Sequence, residues 1–105
     1  MAGSATKELP EASSQRIDQW LWHARLFKSR ERAAAFVEEG RVRLARPAGE
    51  PQRILKASQP VRPGDVLTMT LTNAVRVLRV EGLARRRGPP AEARALYQDV
   101  PGTQN

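Results

Sequence analysis

The side chains best suited to chemistry in this sequence are cations, and they are concentrated. Lys28, Arg30 and Arg32 crowd around Ser29 at the start of one expected helix, and Arg41 and Arg43 emerge just past its end. Residues two apart on a strand share one face, so Arg41 and Arg43 are expected to point the same way. Arg16 opens the preceding helix. Arginine presents a planar fork that grips phosphate oxygens in pairs and can stack on an unpaired base. A helix N-terminus at Ser29 adds backbone N–H groups, the positive end of the dipole and a hydroxyl donor, and these groups together suit a phosphate site. The same cations could instead solvate an ordinary surface or pair locally, since Glu31 and Glu38 lie within helical reach of some of them. Spacing leaves both readings open.

Catalysis is harder to build. The single histidine, His23, falls on the flank of its helix away from the apolar stripe, so it is expected to be exposed. Glu38 and Glu39 read as a solvated helix end, whereas paired carboxylates for acid–base work need burial to shift their pKa values. No P-loop and no GxGxxG are present. Cysteine is absent, which removes disulfides, thiolate nucleophiles and Cys-based zinc sites, and one histidine cannot make a multi-histidine metal site. The expectation is a protein that is not an enzyme and needs neither metal nor cofactor.

The 18 Lys and Arg against 11 Asp and Glu give a net charge of +7. Such an excess favours polyanionic partners and salt-sensitive binding, without separating RNA from DNA or an anionic membrane surface. No run approaches the roughly 20 apolar residues of a membrane span. The opening MAGSATKELPEASSQ has no apolar h-region and so is not read as a secretory signal. A cytoplasmic location without membrane contact is the expectation.

Stepping through the chain, residues 1–14 show no apolar period and are expected to form a disordered leader. Ile17, Trp20, Leu21, Ala24 and Phe27 then fall on one helical face, predicting a first helix over about 16–26, with Asp18 complementing the dipole in its first turn. Ser29 is a good N-cap, Ala33, Phe36 and Val37 make the next apolar face, and Gly40 sits at the C-terminal cap position, so a second helix is predicted over about 30–39. The short connection forces the two helices to pack as an αα unit. Beyond them the period switches to two. Val42 and Leu44 alternate with Arg41 and Arg43, Ile54 and Leu55 suit a short strand, and Val66–Thr72 and Val75–Glu81 form a hairpin around Asn73. Leu67, Met69 and Leu71 share one face of that hairpin's first strand. After Arg85, Arg86 and Arg87 a helix is predicted over about 90–98, with proline in its first turn, and residues 101–105 are expected to fray.

The stretch RIDQWLWHARLFKSRERAAAFVEEGRVRL, with the later VRPGDVLTM, resembles the S4 RNA-binding domain. The positions that carry the likeness are Arg16, Asp18, Leu21, Ser29, Arg30, Ala33, Gly40, Arg41, Val42, Gly64 and Asp65. Within that superfamily RIDQWLW, ARLFKSR and RRRGPPAEARALY are similar to the bacterial heat-shock protein 15 family, over about residues 15–98. The resemblance implies an α+β fold: two packed N-terminal helices on a small, mostly antiparallel sheet, with a short C-terminal helix. Residues 15–82 would form the S4-like domain, and residues 83–100 a basic loop and short helix packed on it. It also implies binding of ribosomal RNA on the free large ribosomal subunit, with a role in rescuing stalled subunits that carry nascent chain-tRNA under stress. A monomer is expected.

Carried over residue by residue, the resemblance assigns RNA contacts to Arg16, Lys28, Ser29, Arg30 and Arg41. Arg32 and Arg43 join them by proximity alone, and Arg85, Arg86 and Arg87 are a possible secondary contact or a solvated loop. The sequence departs from the family at Ala45-Arg46-Pro47, where Asn-Gly is common, and it ends at Asn105 where many members carry a long basic extension. Trp20 belongs to the core. Trp22 projects to the other side and is expected to be covered by the C-terminal helix through Leu96 or Tyr97, base stacking being the alternative. Two rivals remain: a stand-alone S4 domain that binds tRNA or other structured RNA, and a DNA-binding helix-turn-helix protein, which the αα unit permits although its second helix starts with cations instead of a polar reading face.

Overall fold

Ile17, Trp20 and Leu21 are fully buried and Ala24 nearly so, which fixes the inward face of the first helix. A computed structural model describes residues 14–101, so residues 1–13 of the expected leader and 102–105 of the expected frayed tail lie outside the described residues. Strand β1 (Gln15–Arg16) runs into helix α1 (Ile17–His23), and after a turn comes helix α2 (Arg30–Glu38). Helix α1 is shorter than its apolar period suggests because Arg25 adopts a left-handed backbone, φ 62°. Its N–H bonds the carbonyl of Trp22 at 3.0 Å, and the Leu26 N–H bonds that of Leu21 at 3.1 Å. These two bonds close the helix in a Schellman motif, with arginine at the position that glycine most often takes. Phe27 therefore leaves the helix, but it still packs on the core with its ring 5.0 Å from that of Phe36.

Helix α2 follows its predicted bounds closely. Ser29 is extended and its hydroxyl oxygen accepts the Arg32 N–H at 3.1 Å, while Gly40 takes φ 80° at the other end. A Cβ at Gly40 would sit 3.2 Å from Leu55 and 3.3 Å from Arg53, so both backbone and space favour glycine there.

The strands β2 (Val42–Ala45), β3 (Gln52–Ile54), β5 (Val66–Thr70), β6 (Val75–Val80) and β7 (Tyr97–Asp99) form one five-stranded sheet in the order β3-β2-β5-β6-β7. Every pairing in it is antiparallel. Register lines up Ile54, Val42 and Met69 in one row and Leu44, Leu67 and Leu78 in the next, all buried. This apolar face closes on Trp20, Leu21, Ala33, Phe36 and Val37 to make one core. The second pair, β1 with β4 (Pro60–Val61), ties the start of the domain to the loop before β5, with Arg16 opposite Pro60. Arg16 thus precedes α1 in a strand, where a first helical turn was expected.

The C-terminal segment differs most from its sequence pattern. Helix α3 (Pro90–Arg94) ends early, and Tyr97–Asp99 adds to the free edge of β6 as β7, Tyr97 opposite Val80. An unpaired sheet edge leaves backbone donors and acceptors open, and pairing them outweighs the helical preference of residues 95–98. The carbonyl of Leu96 accepts N–H bonds from Glu81 and Gly82, at 2.8 and 3.2 Å. Among the described residues no helix is long and apolar enough to cross a membrane. The fold is α+β, as expected.

Candidate nucleic-acid interface

Asp18 is the organising residue of the cationic surface. Its side chain is 4 % exposed and accepts the Arg16 guanidinium with both oxygens, Nε to Oδ1 at 3.1 Å and Nη2 to Oδ2 at 3.0 Å. The Gln19 N–H adds a bond at 2.7 Å, and Arg30 Nε lies 3.5 Å from Oδ2. Burial opposes ionisation and is the largest single influence on this carboxyl. The Arg16 and Gln19 bonds, with the charges of Arg16 and Arg30, together outweigh it and hold the group below its usual range. The Asp18 bond in turn raises the Arg16 guanidinium. A first-turn carboxylate read from sequence as a dipole partner is therefore also the post that aims two arginines from different elements.

Around that post, the N-terminus of α2 carries the remaining predicted groups. Ser29 spends its oxygen as the N-cap acceptor, leaving its hydroxyl proton to donate outward. Lys28 and Arg32 are exposed, and neither has an ion pair among the described residues. Arg41 lies past the other end of α2. Its Nε is 3.1 Å from Glu39, and its guanidinium sits over the Phe36 ring, 5.7 Å from the centroid. The expectation that Arg41 and Arg43 share a strand face is corrected, because β2 begins only at Val42 and Arg41 turns back over α2. Arg43 alternates with buried Val42 and Leu44, so it stands on the outer face of the sheet, beside Arg53 across the hairpin and opposite Thr68 on β5. The structure brings Arg16 and Arg30 together and puts Arg43 on the far side of the sheet from the helices.

His23 overturns its sequence reading. It is 2 % exposed, where an exposed flank was expected. The segment after β6 covers it: His23 Nδ1 lies 2.9 Å from the Ala84 carbonyl, and Gln15 Nε2 donates to the same oxygen at 2.7 Å. A carbonyl only accepts, so Nδ1 carries the proton in the neutral ring. Burial pushes this imidazole below its ordinary value; the Ala84 bond opposes that shift, while the charges of Arg30 and Arg87 add to it. The helical stripe missed this burial because the covering segment is some sixty residues away in sequence.

Trp20 is core, as expected, and its indole N–H donates to the Gly82 carbonyl at 2.8 Å. Trp22 is half-buried, but its partners are not those expected of the C-terminal helix. Arg87 lies over its ring at 5.8 Å and His23 packs beside it at 5.4 Å. Arg85 and Arg86 are exposed and Arg87 half-buried in the same loop. Asp65 is one of the positions that carry the S4 likeness. It is buried, accepts the Arg62 N–H at 2.8 Å and pairs with Arg46, so the departure at residues 45–47 is anchored by its own arginine. Among the described residues no group of three or more His, Asp or Glu side chains is placed to hold a metal ion.

Comparison with known proteins agrees with this architecture. Residues 15–46 match the S4 domain family. The chain is 32 % identical over 94 residues to heat shock protein 15 of Escherichia coli K12, an alignment covering 90 % of this chain and 65 % of that protein. It is 38 % identical over 86 residues to the heat shock protein 15 homolog of Haemophilus influenzae, covering 81 % and 60 % respectively. The chain thus spans slightly less than two thirds of the length of these curated relatives. Among solved structures, a trimeric heat shock protein 15 of Vibrio cholerae superposes with a TM-score of 0.70 at 30 % identity, covering 84 % of this chain and 83 % of that one.

Proposed function

Because the chain belongs to the heat shock protein 15 family of S4-domain proteins, we propose that it is a non-catalytic RNA-binding protein whose target is ribosomal RNA of the large ribosomal subunit. Its role would lie in recycling or rescue of stalled subunits that carry nascent chain-tRNA under stress. The observation that carries this reading is the pairing of Arg16 and Arg30 on one buried carboxylate, at the capped N-terminus of α2. That arrangement pre-aims two guanidinium groups beside a helix dipole, so little side-chain entropy is lost when phosphates bind. Lys28, Ser29 and Arg32 border the same site, and Arg41, past the other end of α2, would extend the contact surface along that helix. Arg43, on the other sheet face, is left out of it. Contacts of this kind read the shape of structured RNA through phosphates and 2′-hydroxyls, with little base readout.

The test is co-sedimentation of the full chain with purified ribosomal subunits against competing free tRNA. Association with the large subunit that resists tRNA competition supports the reading; preferential capture by tRNA would favour a general structured-RNA binder, and preference for duplex DNA would overturn both. Arg30→Glu is expected to abolish binding while leaving the domain folded.

A further inference from the structure

A second pair of arginines is preset for an anion at the opposite end of α1. The turn after α1 and the loop after β6 clasp each other through reciprocal bonds: Arg25 Nε donates to the Gly88 carbonyl at 2.8 Å, and Arg87 Nε donates to the Trp22 carbonyl at 3.1 Å. The Trp22 carbonyl accepts the Arg25 N–H as well, at 3.0 Å, so both arginines converge on the last turn of α1. Each guanidinium spends only its Nε–H in this clasp. Four N–H groups on the two Nη atoms of each remain, and that edge can still grip phosphate oxygens in pairs. Among the described residues no carboxylate pairs with Arg25 or Arg87, nor with the neighbouring Arg85 and Arg86.

Two further features separate this clasp from an ordinary helix cap. Closing the Schellman turn needs a left-handed residue, which glycine supplies without steric cost, yet an exposed arginine holds φ 62° there. Local strain of this kind persists where the surroundings fix it, and it points to a use for the side chain. Moreover, the clasp and the Asp18-centred site sit at the two ends of α1, a helix of 7 residues, which at 1.5 Å per residue is only about 10 Å long. Trp22 lies under Arg87 and supplies a flat face that keeps the guanidinium in place.

We propose that Arg25 and Arg87 form a second phosphate clamp, which takes the backbone of the same RNA after it leaves the Arg16–Arg30 site. Arg85 and Arg86 add screened positive charge around it. This deepens the RNA-binding reading and rests on it, but it assigns a site of its own.

The experiment is arginine footprinting with phenylglyoxal on the full chain, with and without large-subunit ribosomal RNA, read by mass spectrometry. RNA is expected to protect Arg25 and Arg87 along with Arg16 and Arg30. Protection at Arg30 with unchanged modification at Arg25 and Arg87 would overturn the clamp and leave the proposed function standing. Protection at Arg25 and Arg87 alone would overturn the Asp18-centred site and, with it, the clamp as a continuation of that site. As a second readout, Arg25→Gln with Arg87→Gln should lower the slope of log affinity against log salt by about 1.5 to 2, as expected for two lost phosphate contacts. A variant that melts like the wild type and keeps the wild-type slope would refute the clamp.

Discussion

Arg30 reaches back across the turn between the helices to Asp18, its Nε 3.5 Å from Oδ2 of a carboxylate that also holds Arg16 in a two-pronged grip. The first cation of α2 is thus aimed by a residue of α1. Because Asp18 is buried and both arginines are about half exposed, the negative charge is spent inward while the positive edges stay available to a ligand. Fold and proposed binding surface share this one carboxylate.

Replacing it should affect both. Asp18→Asn keeps the shape but removes the charge, leaving two guanidinium groups close together without a counterion. Stability is expected to fall by about 1–3 kcal/mol, the usual cost of breaking a buried charged hydrogen bond. RNA affinity should fall with it, although net positive charge rises by one. Urea melts and filter binding on one protein preparation check this; an increase in affinity would mean that charge count, not geometry, governs binding.

Glu39 competes for Arg41. The pair is exposed at both ends, 45 % and 57 %, so its own contribution to stability is small, on the order of 0–1 kcal/mol. Glu39→Gln should leave the melting temperature nearly unchanged and tighten RNA binding a few-fold, by releasing Arg41 to phosphate. A titration at fixed salt detects this, and unchanged affinity would place Arg41 outside the interface.

Acid should weaken the fold in two stages. His23 is held below its ordinary value when folded, so below about pH 6.5 the unfolded chain binds a proton that the native chain does not, and stability falls as pH drops through that region. Asp18 is also depressed, so its contribution is present above the ordinary carboxylate value of about 4 and is lost as pH falls through the lower native value. Urea midpoints measured from pH 8 to pH 3 should be flat at the top and decline in both regions. His23→Gln should remove the upper decline only.

Trp20→Phe tests the stitch between α1 and the strand end. It removes a fully buried ring's volume and leaves the Gly82 carbonyl without its indole partner. A loss of about 2–4 kcal/mol is expected from the combined cavity and hydrogen-bond terms. Chemical denaturation measures it, and a loss below about 1 kcal/mol would show that water replaces the donor.

Much of this protein was legible from residues near one another in the chain. The αα unit, its Ser29 cap, the Gly40 terminus, the strand alternation of 42–44 and the hairpin over 66–80 all follow from local periods and backbone preferences, which need no distant partner. The cation cluster was equally plain, and the R-x-D spacing of Arg16 and Asp18 held the signal for their pairing, although the sequence could not show that Arg30 would join them. What only the tertiary structure decided depends on contacts across long stretches of chain. The edge of β6 drew residues 97 and 98, expected in a helix, into a strand with Asp99, because an open edge demands hydrogen-bond partners. The segment at Gly82–Gly88 buried His23, gave Trp20 and Trp22 their partners, and met Arg25 in a reciprocal clasp. Helical spacing can say which face of a helix is apolar, but what covers its other face is settled only when residues 82–88 fold back over it.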